Sequence, residues 1–167
     1  MNKKRLLKQV VSALEQLYEN AVSAADRAYQ SATDKENVAE NKYDTLGLEA
    51  AYLAEGQSRR VAECEAALRS FQRLLASSED ETLPADEIGV GTLVVLRDHG
   101  EGVKCLLIGP LAGGLKVDLR DQSGSNEVMV ITPSSPLGKA LMGLGVDDQV
   151  DISSAGEKRC YIVTACY

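Results

Sequence analysis

Two mirrored seams run through the amino-terminal half of the chain, each with residues spaced alternately three and four apart. The first is Leu7, Val10, Leu14, Leu17, Ala21, Ala24, Ala28 and Ser31; the second is Ala50, Ala54, Gln57, Val61, Cys64, Leu68, Phe71 and Leu75. This is the heptad spacing of coiled-coil helices. The seams match in antiparallel order about a centre near Asn41, with Leu7 opposite Leu75. Bulky side chains fall at the open end and alanine at the closed end, where the arms can approach closely.

Each arm covers roughly thirty residues, about 45 Å of helix at 1.5 Å per residue. The arms are rich in alanine, Glu, Lys, Arg and Gln, all strong helix formers. Gly47 and Gly56 each cost the second helix about 1 kcal/mol relative to alanine, so its tip-side half is expected to be the less stable. One long helix that dimerises through a continuous heptad is the alternative. The stretch Glu40-Asn41-Lys42 favours a turn instead, because asparagine tolerates the left-handed conformation that ends a helix.

Around that turn Asp34, Glu36, Glu40, Asp44 and Glu49 outnumber Lys35 and Lys42. One reading is a solvated loop in which Asp44 or Thr45 caps the second arm, and charge alone favours it. The other is that carboxylates at the end of a rod coordinate a divalent cation in a partner's site. Mg²⁺ is suited to this, being oxygen-seeking and often held by only one or two protein carboxylates.

Composition changes sharply along the 167 residues. No proline precedes Pro84, and only Gly47 and Gly56 of the fourteen glycines do. A boundary is therefore expected in the run Ser77 to Leu83, separating a coiled-coil hairpin over 1–80 from a second domain over 84–167. The formal net charge of −7 argues against nonspecific nucleic-acid binding, which relies on a basic surface. No sequence-specific DNA binding is expected either. Cys64, Cys105, Cys160 and Cys166 lack CxxC spacing, and the single His99 completes no zinc site, so reduced thiols are expected. The basic start resembles a signal peptide, but Lys8, Gln9 and Glu15 interrupt any apolar core. With no span of membrane length, a cytoplasmic protein is expected.

From Ile88 onward, short alternating runs bounded by glycine or proline read as strands: Thr92–Arg97, Lys104–Ile108, Leu115–Leu119, Glu127–Ile131, Gln149–Ile152 and Arg159–Ala165. One helix fits, Leu137–Met142. The expected domain is α+β, a small, mostly antiparallel sheet with a single short helix. Its most distinctive stretch is ITPSSPLGKALMGLGVDDQVDI, Ile131 to Ile152. Ser134-Ser135-Pro136 suits a helix start, Gly143 and Gly145 end the helix, and Asp147-Asp148 turns the chain into the next strand. Structural punctuation explains each of these residues singly.

Taken together, Pro136, Leu137, Gly138, Lys139, Ala140, Leu141, Met142, Gly143, Asp147, Asp148 and Val150 resemble the carboxy-terminal motif of the Gre family of bacterial transcript cleavage factors. Ile108-Gly109 and the helical run Arg60 to Leu68 also resemble that family, so the likeness covers nearly the whole chain. It implies an antiparallel coiled-coil hairpin followed by an FKBP-like domain. It also implies binding to bacterial RNA polymerase, with the hairpin in the secondary channel and the nascent RNA 3′ end reached only indirectly. Ser135, Pro136, Leu137 and Lys139 would lie on the polymerase-binding loop-helix.

In the family, carboxylates at the hairpin tip help hold a catalytic Mg²⁺ in the polymerase's own active centre, where it activates water to cut backtracked RNA. Alignment of the second arms gives this metal role to Glu40 and Asp44, with Tyr43 where the family has glutamate. Glu40 and Asp44 would share a face if the turn is locally helical. The resemblance thus implies an accessory factor that stimulates RNA cleavage, with no catalytic residues or cofactor-binding site of its own. A non-cleaving regulator of initiation or pausing in the same channel is the alternative, and a coiled-coil scaffold unrelated to polymerase is a further one. Prolyl isomerase activity is not expected, since the single Phe71 lies on the coiled coil and only Tyr161 and Tyr167 remain in the second domain.

Overall fold

The computed structural model describes residues 2–33, 46–78, 84–98, 102–121, 124–154 and 157–167. Two helices of 31 residues each come first, α1 (Lys3–Thr33) and α2 (Leu46–Ala76). Six strands and a short helix follow: β1 (Leu93–Asp98), β2 (Val103–Ile108), β3 (Lys116–Asp121), β4 (Gly124–Ile131), α3 (Pro136–Leu141), β5 (Gln149–Ser154) and β6 (Glu157–Cys166). This is the α+β architecture the spacing predicts. Several strands run one to three residues beyond their expected ends, because pairing continues into the turns.

The chain divides into two compact units, residues 12–69 and residues 1–11 with 70–167. In the helical unit the expected seam is the covered face. Between positions 47 and 64, the residues that are not exposed are Gly47, Ala50, Ala54, Gln57, Val61 and Cys64. On α1, Leu14, Ala21 and Ala28 are buried, whereas Leu17 stays 37% exposed. Ion pairs one turn apart, Glu55–Arg59 and Glu65–Arg69, lie on the exposed face of α2. Such solvated pairs add only about 0.3–0.5 kcal/mol each. The expected turn, with Glu40, Asn41, Tyr43 and Asp44, lies outside the described residues.

The second unit is built on one sheet of order β3-β4-β2-β1-β6-β5. Every neighbouring pair is antiparallel except β2 and β4, which run parallel from Cys105↔Val128 to Ile108↔Ile131. One face carries Val94, Leu96, Leu106, Ile108, Ile131, Val150, Tyr161, Val163 and Cys166, which form a core with Ile88 and Leu141 of α3. Tyr161 and Val163 alternate normally, but Cys166 is out of phase. A bulge explains this: the register with β1 shifts between Val95 and Leu96, so the chain re-enters the same face one residue later. Thr164 Oγ1 donates to the Val95 carbonyl there, at 3.0 Å.

Leu93, Leu107, Val128 and Val130 point the other way and are also fully buried, as are Leu6, Leu7, Val10 and Phe71 from the helix ends in this unit. Phe71 and Val130 both press on Gly109: a Cβ there would stand 2.6 Å from each side chain. Lys3 Nζ donates to the Tyr167 carbonyl at 3.4 Å, and burial lowers the pKa of its ammonium group. Asn2 caps α1, its Oδ1 accepting from the Arg5 amide at 2.8 Å.

Candidate docking site

The loop entering α3 is held by one hydroxyl used twice. Ser135, with extended backbone at φ −70° and ψ 151°, is the N-cap. Its Oγ accepts from the Gly138 amide at 3.1 Å and donates to the Thr132 carbonyl at 2.7 Å. The Ser135 amide donates to the same carbonyl at 3.0 Å, and Thr132 Oγ1 lies 2.9 Å from Ser134 Oγ. Pro136 follows at the first helical position, where its missing N–H costs nothing.

Gly138 is obligatory at this point. A Cβ on it would stand 2.0 Å from the Thr132 oxygen and 2.8 Å from Ser135 Oγ. Beyond α3, Gly143 takes φ +79° and donates to the Ile88 carbonyl at 2.9 Å. The acidic turn is structural: Asp148 Oδ2 accepts from the Gly145 amide at 2.7 Å, and Asp147, at φ +70°, donates its amide to the Val163 carbonyl.

Of the residues expected to meet a partner, Pro136 and Lys139 are exposed and close together on α3. Leu137 is half-buried and packs against the core. Ser135 is half-buried too, and its hydroxyl is committed to the loop. Beside them lies a groove of about 440 Å³. Its apolar lining comes from Leu106, Met129, Ile131 and Leu137, and its polar lining includes Lys104 and Glu127. Val103 and Cys105 complete it, and burial pushes the Cys105 thiol pKa up, which keeps the sulfur neutral.

Lys104 Nζ donates to Tyr161 Oη at 2.9 Å and lies 4.8 Å from the centroid of that ring. Glu127 pairs with Lys116 at 2.9 Å. The groove depends on β2 lying parallel to β4, a pairing the strand-by-strand sequence pattern does not reveal. Only the alternation within each strand, Lys104/Leu106 and Glu127/Met129/Ile131, hinted at a common face.

Such a site suits binding: an apolar trough, a rigid exposed proline and charges at the margin. Among the described residues, no three His, Cys, Asp or Glu side chains gather to hold a metal ion. Glu40 and Asp44, to which the resemblance gives Mg²⁺, lie outside the described residues. Among the described residues, no helix is long and apolar enough to cross a membrane.

No family model matches the chain. It is 29% identical over 168 aligned positions to the transcription inhibitor protein Gfh1 of Thermus aquaticus, covering 98% of this chain and 90% of the relative. The protein of the same name from Thermus thermophilus is 28% identical, with 98% and 91% covered. The crystal structure of GreA factor homolog 1 (Gfh1) of Thermus thermophilus aligns with 98% of this chain and 94% of its own length, at 22% identity and a TM-score of 0.36.

Proposed function

We propose, from its likeness to the Gfh1 proteins, that the chain is a Gre-family factor that binds bacterial RNA polymerase and restrains transcription without promoting RNA cleavage. The observation that carries this reading is the Thr132–Gly138 turn, which presents Pro136 and Lys139 to solvent beside an apolar groove. In this reading the sheet unit docks on the polymerase and the helical pair enters the secondary channel. The chain then works in the cytoplasm, touches nascent RNA only indirectly and reads no DNA sequence.

Restraint is supported by the inhibitor name that both relatives carry. Tyr43 supports the lack of cleavage, because a neutral phenol is a poorer Mg²⁺ ligand than the carboxylate the Gre pattern has there. The opposing reading, stimulated cleavage, rests on Glu40 and Asp44 lending oxygens to that metal. A single-round elongation assay with increasing amounts of the chain tests restraint. Full-length RNA should appear more slowly, and the chain should co-elute with polymerase. An unchanged rate without co-elution would leave the coiled-coil scaffold reading instead.

A further inference from the structure

Lys104 is unusual among the groove residues. Its neighbour Tyr161 is 4% exposed and fixed in the core, and it holds the ammonium group through both its oxygen and its ring face. A neutral phenol satisfies one N–H but cancels no charge. The carboxylate that also lines the groove, Glu127, is engaged by Lys116. Among the described residues, no carboxylate pairs with Lys104. The groove therefore presents a full positive charge on a chain whose formal net charge is −7.

Holding a lysine in place beforehand removes much of the side-chain entropy that a partner would otherwise have to overcome. Lys104 is half-buried and lines the groove, and a lysine so placed offers an aliphatic stem as well as a charge.

We propose that Lys104 is the specificity-determining residue of this groove. It reads a protein segment in which a carboxylate flanks an aliphatic side chain. The aliphatic group enters between Leu106, Met129 and Leu137, and the carboxylate meets the ammonium group that Tyr161 positions. Charge complementarity favours this occupant: an uncompensated cation beside an apolar trough attracts an acidic neighbour and repels a basic one. The inference rests on the proposed docking to RNA polymerase and names the chemistry of the surface met at that site.

The test measures the affinity of the full-length chain for purified bacterial RNA polymerase at several salt concentrations. Lys104→Arg should retain binding. Lys104→Met, which keeps the stem, should weaken it several-fold, and Lys104→Glu by about tenfold or more, both with a shallower salt dependence. Leu137→Ala, which removes apolar contact without adding charge, should weaken binding with little change in that dependence. Lys104→Met also leaves the Tyr161 hydroxyl without its partner, so its melting temperature should fall by a few degrees. Circular dichroism at the assay temperature should match the parent for all Lys104 variants, separating lost recognition from lost folding. A Lys104→Glu chain that binds as tightly as the parent, with the same salt dependence, overturns the role of Lys104 while leaving docking intact. Failure of the parent chain to bind overturns the docking reading and this inference together.

Discussion

The carbonyl oxygen of Thr132 occupies the space a side chain on Gly138 would need, 2.0 Å from where a Cβ would stand. Because that oxygen also accepts two hydrogen bonds from Ser135, it cannot move without dismantling the N-cap. Gly138→Ala should therefore cost about 1–3 kcal/mol, the usual range for forcing atoms into a packed site. Ser135→Ala, which removes the cap and the hydroxyl's bond to the Thr132 carbonyl, should cost about 1–2 kcal/mol. Thermal melting of the two variants measures both. A Gly138→Ala chain that melts like the parent would contradict the geometry.

Pro136 and Lys139 are exposed on the same short helix, so replacing them tests recognition with little disturbance of folding. Pro136→Glu should leave the melting temperature nearly unchanged and weaken competition with unmodified chain for RNA polymerase. Equal competition by the variant would place the docking surface elsewhere.

Gly56 sits within α2 with open space where a side chain would go. Nothing in the fold requires glycine there, and its backbone freedom is lost on folding. Gly56→Ala should stabilise the chain by about 0.5–1 kcal/mol. Hydrogen exchange should slow in amides of the tip-side half of α2, and a faster rate would show that glycine has a packing role.

Burial raises the pKa of the Cys105 thiol in the folded chain. The folded form thus keeps a proton that the unfolded form gives up in the ordinary thiol range. Stability attributable to this group is fully present below that range and is lost as pH rises through it. Since the thiolate is the reactive species, Cys105 at pH 8 should alkylate about tenfold or more slowly in the folded chain than in urea. Cys166 shifts in the same direction for the same leading cause. Peptide mapping after timed alkylation gives the rates, and equal rates in both states would contradict the burial.

The helical seam was legible because heptad spacing is local: the residues spared exposure between 47 and 64 are those the three-four alternation selects. Leu17 departs from it at 37% exposed, since spacing selects a face and not how fully each position on it is covered. The start of α3 was legible too, since Ser-Pro before an apolar run has a direct capping mechanism. Sequence alone did not show that the Ser135 hydroxyl is already committed to Thr132 and Gly138. The groove was not visible either, because it arises from long-range pairing of β2 with β4 and from the contact of Lys104 with Tyr161, 57 residues away.

Halted, backtracked elongation complexes incubated with saturating chain and Mg²⁺ give the most direct test of restraint without cleavage. The RNA should keep its full length while the chain remains bound to the polymerase. Shortened RNA, abolished by Glu40→Ala or Asp44→Ala, would show instead that the chain stimulates cleavage through those carboxylates.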